Sequence, residues 1–108
     1  MKYFIELFTP TQAWLDLNKE ERAAYLAHIN ESAKGLMDQG VAIISMNEND
    51  QDTLHRADYN FFVVWTVPTD ELANGVQDLM ANSDWFNYFD QINLKGDSTD
   101  IFEKLINL

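Results

Sequence analysis

The sequence contains no cysteine, which rules out disulfides, thiolate metal sites, iron–sulfur clusters and cysteine nucleophiles together. Histidine is nearly absent as well. His28 and His55 are the only two, 27 positions apart, and neither belongs to a His-x-x-x-His or His-Glu pair. No metal site and no cofactor are therefore expected. Positive charge is scarce: 7 basic residues stand against 18 acidic ones, a formal net charge of -11. Such a chain repels phosphate backbones and anionic lipid surfaces, so neither nucleic acid nor membrane is an expected partner. No apolar run approaches the roughly 20 residues that span a bilayer. The start, Met1 to Glu6, meets a charge too early for a signal peptide, and a cytoplasmic protein is the expectation. Two prolines and four glycines leave long stretches without a breaker.

What the sequence has in quantity is apolar and aromatic side chains. Hydrophobic residues make up 46% of its 108 positions, and 7 Phe, 4 Tyr and 3 Trp supply enough burial to offset the ordering entropy of one compact domain over residues 1–108. Lys2 to Phe8 alternates with a period of two, as a strand does, and Pro10 ends it. Asn18, followed by Glu20 and Glu21, is an N-cap with an acidic first turn. The spacing of Tyr25, Leu26, Ile29, Ala33, Leu36 and Met37 predicts a helix over Lys19 to Asp38, stopped by Gly40. Val41 to Asn47 reads as a second strand and Asp58 to Val67 as a third, dense enough in β-branched and aromatic residues to be buried on both faces. Thr69 caps a second helix carrying Leu72, Val76, Leu79 and Met80. The later part of Trp85 to Leu94 reads as a fourth strand ending at Gly96, and Ser98 caps a short C-terminal helix.

This β-α-β-β-α-β order is that of an α+β, ferredoxin-like fold: a four-stranded antiparallel sheet with two helices on one face, plus the short C-terminal helix. Taking the more uniformly apolar half of each strand as helix-facing puts Tyr3, Ile5, Leu7, Ala42, Ile44, Met46, Tyr59, Phe61, Val63, Trp65 and Val67 inside. The opposite face then holds Phe4, Glu6, Phe8, Ile43, Ser45, Asn47, Asp58, Asn60, Phe62, Val64 and Thr66. That second face is too apolar to stay wet, and something must cover it.

An N-terminal strand, a first helix closing on Gly35-Leu36-Met37-Asp38-Gln39-Gly40, a Phe/Val/Trp-rich third strand, and Trp85-Phe86-Asn87-Tyr88-Phe89 before the last strand together resemble the dimeric α+β barrel superfamily. The likeness is greatest to its YCII-related, antibiotic-biosynthesis-monooxygenase-like and uncharacterised members. The resemblance implies a homodimer joined through the sheet faces, with a ligand cavity between sheet and helices in each subunit.

Glu6 is the one carboxylate inside the first strand and shares a face with two phenylalanines. Buried there it is a proton carrier with a raised pKa; at an edge it reaches solvent or pairs with Lys2 or Arg56. His28, beside the apolar stripe of the first helix, is either a general base or a half-exposed edge residue. The resemblance to YCII-related proteins implies an active-site role for a histidine on this helix. His55 and Arg56 form an anion site at the cavity mouth or a plain surface cluster with Asp58. Asn60 and Thr66 are placed to orient a carbonyl or hydroxyl group, and Phe4, Phe8, Phe62 and Tyr88 to contact a small hydrophobic ligand. In the related cofactor-free monooxygenases an Asn and a Trp position the substrate. Asn60 and Trp65 correspond in kind, although the pleat puts them on opposite faces.

Three functions fit these residues. The first is a homodimeric small-molecule-binding protein, and the second a cofactor-independent monooxygenase or isomerase-like enzyme acting on a small hydrophobic or aromatic substrate. The third is a non-catalytic interaction module that docks through Trp85 to Phe89 and the Ile101, Phe102, Leu105 and Ile106 stripe.

Overall fold

A computed structural model describes residues 1–108. Four strands, β1 (Lys2–Pro10), β2 (Ala42–Glu48), β3 (Phe61–Val67) and β4 (Phe89–Asp97), form one antiparallel sheet in the order β2-β3-β1-β4. The long helix α2 (Lys19–Asp38) and the shorter α3 (Asp70–Ala81) cover one face of it. Three small helices, α1 (Gln12–Leu15), α4 (Trp85–Tyr88) and α5 (Ile101–Ile106), complete the ferredoxin-like α+β fold.

The ends of the helices follow from local chemistry. Asn18 accepts from the Glu21 N–H at 2.8 Å while its own N–H donates to the Glu21 carboxylate at 3.0 Å, a reciprocal cap that fixes where α2 begins. Gly40 stops it with a φ of 99°, a conformation that a Cβ would strain. Thr69 caps α3 through Leu72. The C-terminal helix is capped by Asp100 rather than by Ser98: the Asp100 carboxylate accepts from the Glu103 N–H at 3.1 Å, because Asp100 is the residue immediately before the first helical turn. Trp85–Tyr88 coils into a helical turn of its own before β4 starts, and β3 begins at Phe61, later than the alternation suggested.

The faces of β1 are the reverse of the sequence expectation. Phe4 stands opposite Trp65, Glu6 opposite Val63 and Phe8 opposite Phe61, so these three share the helix-covered face with the buried half of β3. Tyr3, Ile5 and Leu7 lie on the open face. Phe4 joins the core, and Phe8 packs on Trp85 and Phe89 at 5.8 and 5.4 Å between centroids, so the Glu6 carboxyl between them is carried inside. In β2 the alternation is broken by a bulge between Ile43 and Ser45. It brings Ile43 opposite Trp65 and Met46 opposite Val63, leaving Ile44 as the extra residue and Ser45 and Asn47 with the open-face residues Val64 and Phe62.

The core is built from Phe4, Val63, Trp65 and Val67 of the sheet and Ala73, Val76 and Met80 of α3, closed at one end by Trp14, Trp85 and Phe89. The rings at that end pack edge-on and tilted, Trp85 on Phe89 at 4.3 Å and Trp14 on Phe89 at 4.9 Å between centroids. Trp85 and Phe89 are thus interior residues rather than a docking surface. In contrast α2 buries only Ala33 among its 20 residues. The long helix spans a space beneath it instead of filling it.

Candidate functional site

That space is an apolar cavity between the sheet and α2. Its inner chamber, about 120 Å³, is floored by Glu6, Val63 and Trp65 and roofed by Ile29 and Ala33 of α2, with Met80 of α3 at the side. It adjoins, across the shared lining residues Leu26, Asn30, Met46, Val63 and Trp85, a wider and more open outer chamber of about 580 Å³ that Phe8, Phe61 and Glu48 also line. The bulge in β2 contributes both Ile43 and Met46 to this lining, which regular alternation would not allow.

Glu6 is the one ionisable residue of the inner chamber. It is 2% exposed, and its Oε1 has no hydrogen-bond partner. Neither cation considered for it is available. Lys2 is held by Asp97 at 2.6 Å and by Asp70 at 3.2 Å, and the Arg56 guanidinium donates to the carbonyls of Asp50 and Tyr59 in the β2–β3 loop. Loss of hydration in this apolar site pushes the Glu6 carboxyl up to about 8; the nearby Trp65 indole N–H opposes the rise by favouring the carboxylate. That N–H is itself buried and stops short of hydrogen-bond geometry with any acceptor.

The other expected site residues disperse. Phe8 lines the outer chamber, while Phe4 lies in the core beside it. Tyr88 packs against Trp14 and Tyr25 in the aromatic cluster. Phe62 and Thr66 sit on the open face of the sheet, Thr66 opposite Tyr3 and Phe62 opposite Leu7. Asn60 is exposed just before β3, its N–H donating to Thr9 Oγ1 at 3.1 Å. His28 is exposed on α2 and does not line either chamber. His55 and Arg56 belong to the β2–β3 loop and line neither chamber. No group of three or more His, Cys, Asp or Glu side chains is arranged to hold a metal ion.

Trp65 is the residue that reading by strand alternation missed. Its apolar body belongs to the core, as expected, but it also lines the inner chamber with Glu6, and its buried indole N–H acts on that carboxyl. The signal available in the sequence was the pairing of a Trp in β3 with the Glu-bearing face of β1, and that depends on register.

The open face of the sheet remains apolar, with a different membership from that expected: Tyr3, Ile5, Leu7, Phe62, Val64, Ile92 and Leu94 in place of Phe4 and Phe8. Leu94 is 58% exposed and Ile92 48%. The helix α5 does not cover this face, since every residue of α5 is itself exposed.

Among solved structures, the chain is similar to a putative chlorite dismutase at 16% identity (TM-score 0.70, covering 93% of this chain and 45% of that one). A mutant chlorite dismutase from Candidatus Nitrospira defluvii, 13% identical, matches with a TM-score of 0.69 over 92% of this chain and 40% of that one. A hypothetical Arabidopsis thaliana protein matches at 8% identity with a TM-score of 0.51, covering 92% and 90% of the two chains. The chain thus spans less than half the length of either chlorite dismutase. At these identities the likeness establishes the fold, a ferredoxin-like α+β fold, and leaves chemistry open. No curated protein matches the sequence. A family model matches residues 1–108 in full, and the chain belongs to that family, a family of unknown function (DUF6616).

Proposed function

We propose that the chain acts as one half of a face-to-face homodimer and holds a small hydrophobic molecule in the cavity between sheet and α2. The observation that carries this reading is the cavity itself: an apolar space of two adjoining chambers under a 20-residue helix that buries only one residue. Native interiors close such gaps unless something occupies them, because lining atoms without partners forfeit dispersion contacts. The volume of the outer chamber falls in the range of small-molecule sites, whose walls are mainly apolar with a few polar groups. Titration with ethylbenzene, followed by NMR at the indole N–H signals of Trp65 and Trp85, is expected to show saturable binding. Absence of saturation up to the solubility limit would remove the reading.

A second reading, cofactor-independent proton transfer, is favoured by the Glu6 carboxyl. Held at about 8, it changes charge near neutral pH and exchanges protons in either direction. It predicts that the protein catalyses solvent deuterium incorporation at the methyl group of acetophenone, beside the carbonyl, and that Glu6→Gln abolishes it. A rate equal to the buffer blank excludes this activity.

A further inference from the structure

We propose that Glu6 and Trp65 form a two-point hydrogen-bonding clamp at the floor of the cavity, selecting neutral apolar compounds that carry a ketone or aldehyde oxygen. The inference rests on the binding reading above and names its ligand class. Two observations support it independently of each other. First, Glu6 Oε1 and Trp65 Nε1 are both buried, and although the indole N–H acts on the carboxyl, neither atom reaches hydrogen-bond geometry with any partner. Buried polar atoms are rarely left so, because their lost hydration is then uncompensated. Second, register makes them neighbours: with Glu6 opposite Val63 and Trp65 opposite Phe4, the two side chains lie diagonally on adjacent strands and line one chamber.

The donor inventory fixes the class. Indole nitrogen donates only, and a carboxyl that stays protonated in this apolar site also donates. Two donors lining one chamber match the two lone pairs of a carbonyl oxygen. An ammonium ligand would leave the Trp65 N–H unpaired. A carboxylate would bring an anion into a space with no Lys, Arg or His in its lining, Glu6 being the sole titratable group of the inner chamber and Glu48 the one that the mouth adds. The remaining walls are mainly apolar, Leu26, Ile29, Ala33, Val63 and Met80 among them, with Asn30 and Ser83 as their uncharged polar residues.

Acetophenone and ethylbenzene have nearly the same shape and differ by the oxygen, so calorimetric titration of the intact protein with each, at pH 6, isolates the clamp. Acetophenone is expected to bind about tenfold or more tighter than ethylbenzene, two neutral hydrogen bonds being worth at least about 1.4 kcal/mol together. Benzoate is expected to bind at least about tenfold more weakly than acetophenone. In Trp65→Phe, which keeps an aromatic ring in the core, the ketone preference should shrink to within about twofold. Equal binding of ketone and hydrocarbon by the wild type overturns the clamp while leaving the cavity reading intact, and needs no variant to fold. Benzoate binding as tightly as acetophenone overturns it too. Failure of both neutral compounds to bind overturns the cavity reading instead.

Discussion

Glu6→Gln is expected to stabilise the protein by several kcal/mol at pH 9 and to leave it nearly unchanged at pH 4. The unfolded chain releases the Glu6 proton near 4.5, whereas the folded chain holds it up to about 8. Between these values the native state binds the extra proton, so stability falls as pH rises. The contribution is fully present below about 4.5 and lost above about 8. Each tenfold in proton affinity is worth about 1.4 kcal/mol, which puts the full cost of ionising Glu6 in the fold on the order of several kcal/mol. Glutamine has nearly the same shape, donates a hydrogen bond as the protonated acid does, and carries no charge to desolvate. Urea denaturation at a series of pH values checks this: the gap between variant and wild type should open across the window and stay level above it. A gap that does not change with pH would mean that Glu6 is ionised and hydrated in the native protein, and the desolvation that raises its pKa would go with it. Ligand-free wild-type protein is therefore expected to be most fragile in alkaline buffer.

The same residue shows how far the sequence could be read. Element order, the bounds of α2 and its Asn18 cap depend on interactions within a few residues, and they were legible from spacing alone. Which face of β1 turns inward depends on what lies across the sheet. Alternation gave two apolar sets, Tyr3/Ile5/Leu7 and Phe4/Phe8, and the charge of Glu6 pointed to the wrong one. In the fold the carboxyl enters the core by giving up its charge, a solution that local hydropathy cannot register. The bulge at Ile44 is equally nonlocal, because a strand of seven residues shows no sign of the extra residue until paired with β3. Candidate site residues divided accordingly. Glu6 and Phe8 line the cavity, His28 and Asn60, suggested by residue type, lie outside it, and Trp65, read from its face as core and by resemblance as a counterpart of a substrate-positioning Trp, lines the inner chamber. One conclusion survived the reversal unharmed. A sheet with two apolar faces and helices on one side needs a cover whichever half of β1 points out.

Leu7→Asp tests what that cover is. Leu7 lies on the central strand β1, between Phe62 of β3 and Ile92 of β4, in the middle of the open face. The polar residues of this face lie toward its margin: Ser45 and Asn47 on the edge strand β2, where the Asn47 amide donates to Ser45 Oγ at 2.9 Å, and Thr66 near the end of β3. An apolar centre with a polar margin is the anatomy of a stable interface between copies, and two such sheets pack face to face about 10 Å apart. A two-fold axis places the same patch on both subunits, so one substitution brings two carboxylates into the buried layer. An unpaired charge there costs several kcal/mol, enough to weaken association by roughly a hundredfold or more. In a lone subunit Leu7 is only half-buried, so the variant is expected to keep its fold. Sedimentation velocity at micromolar concentration should show a dimer for the wild type and a monomer for Leu7→Asp, with unchanged far-ultraviolet circular dichroism. Glu20→Lys, at the exposed start of α2, should remain dimeric and serves as the control for charge change alone. A wild-type monomer, or a Leu7→Asp protein that stays dimeric, would move the association away from the sheet and leave its apolar face to another partner.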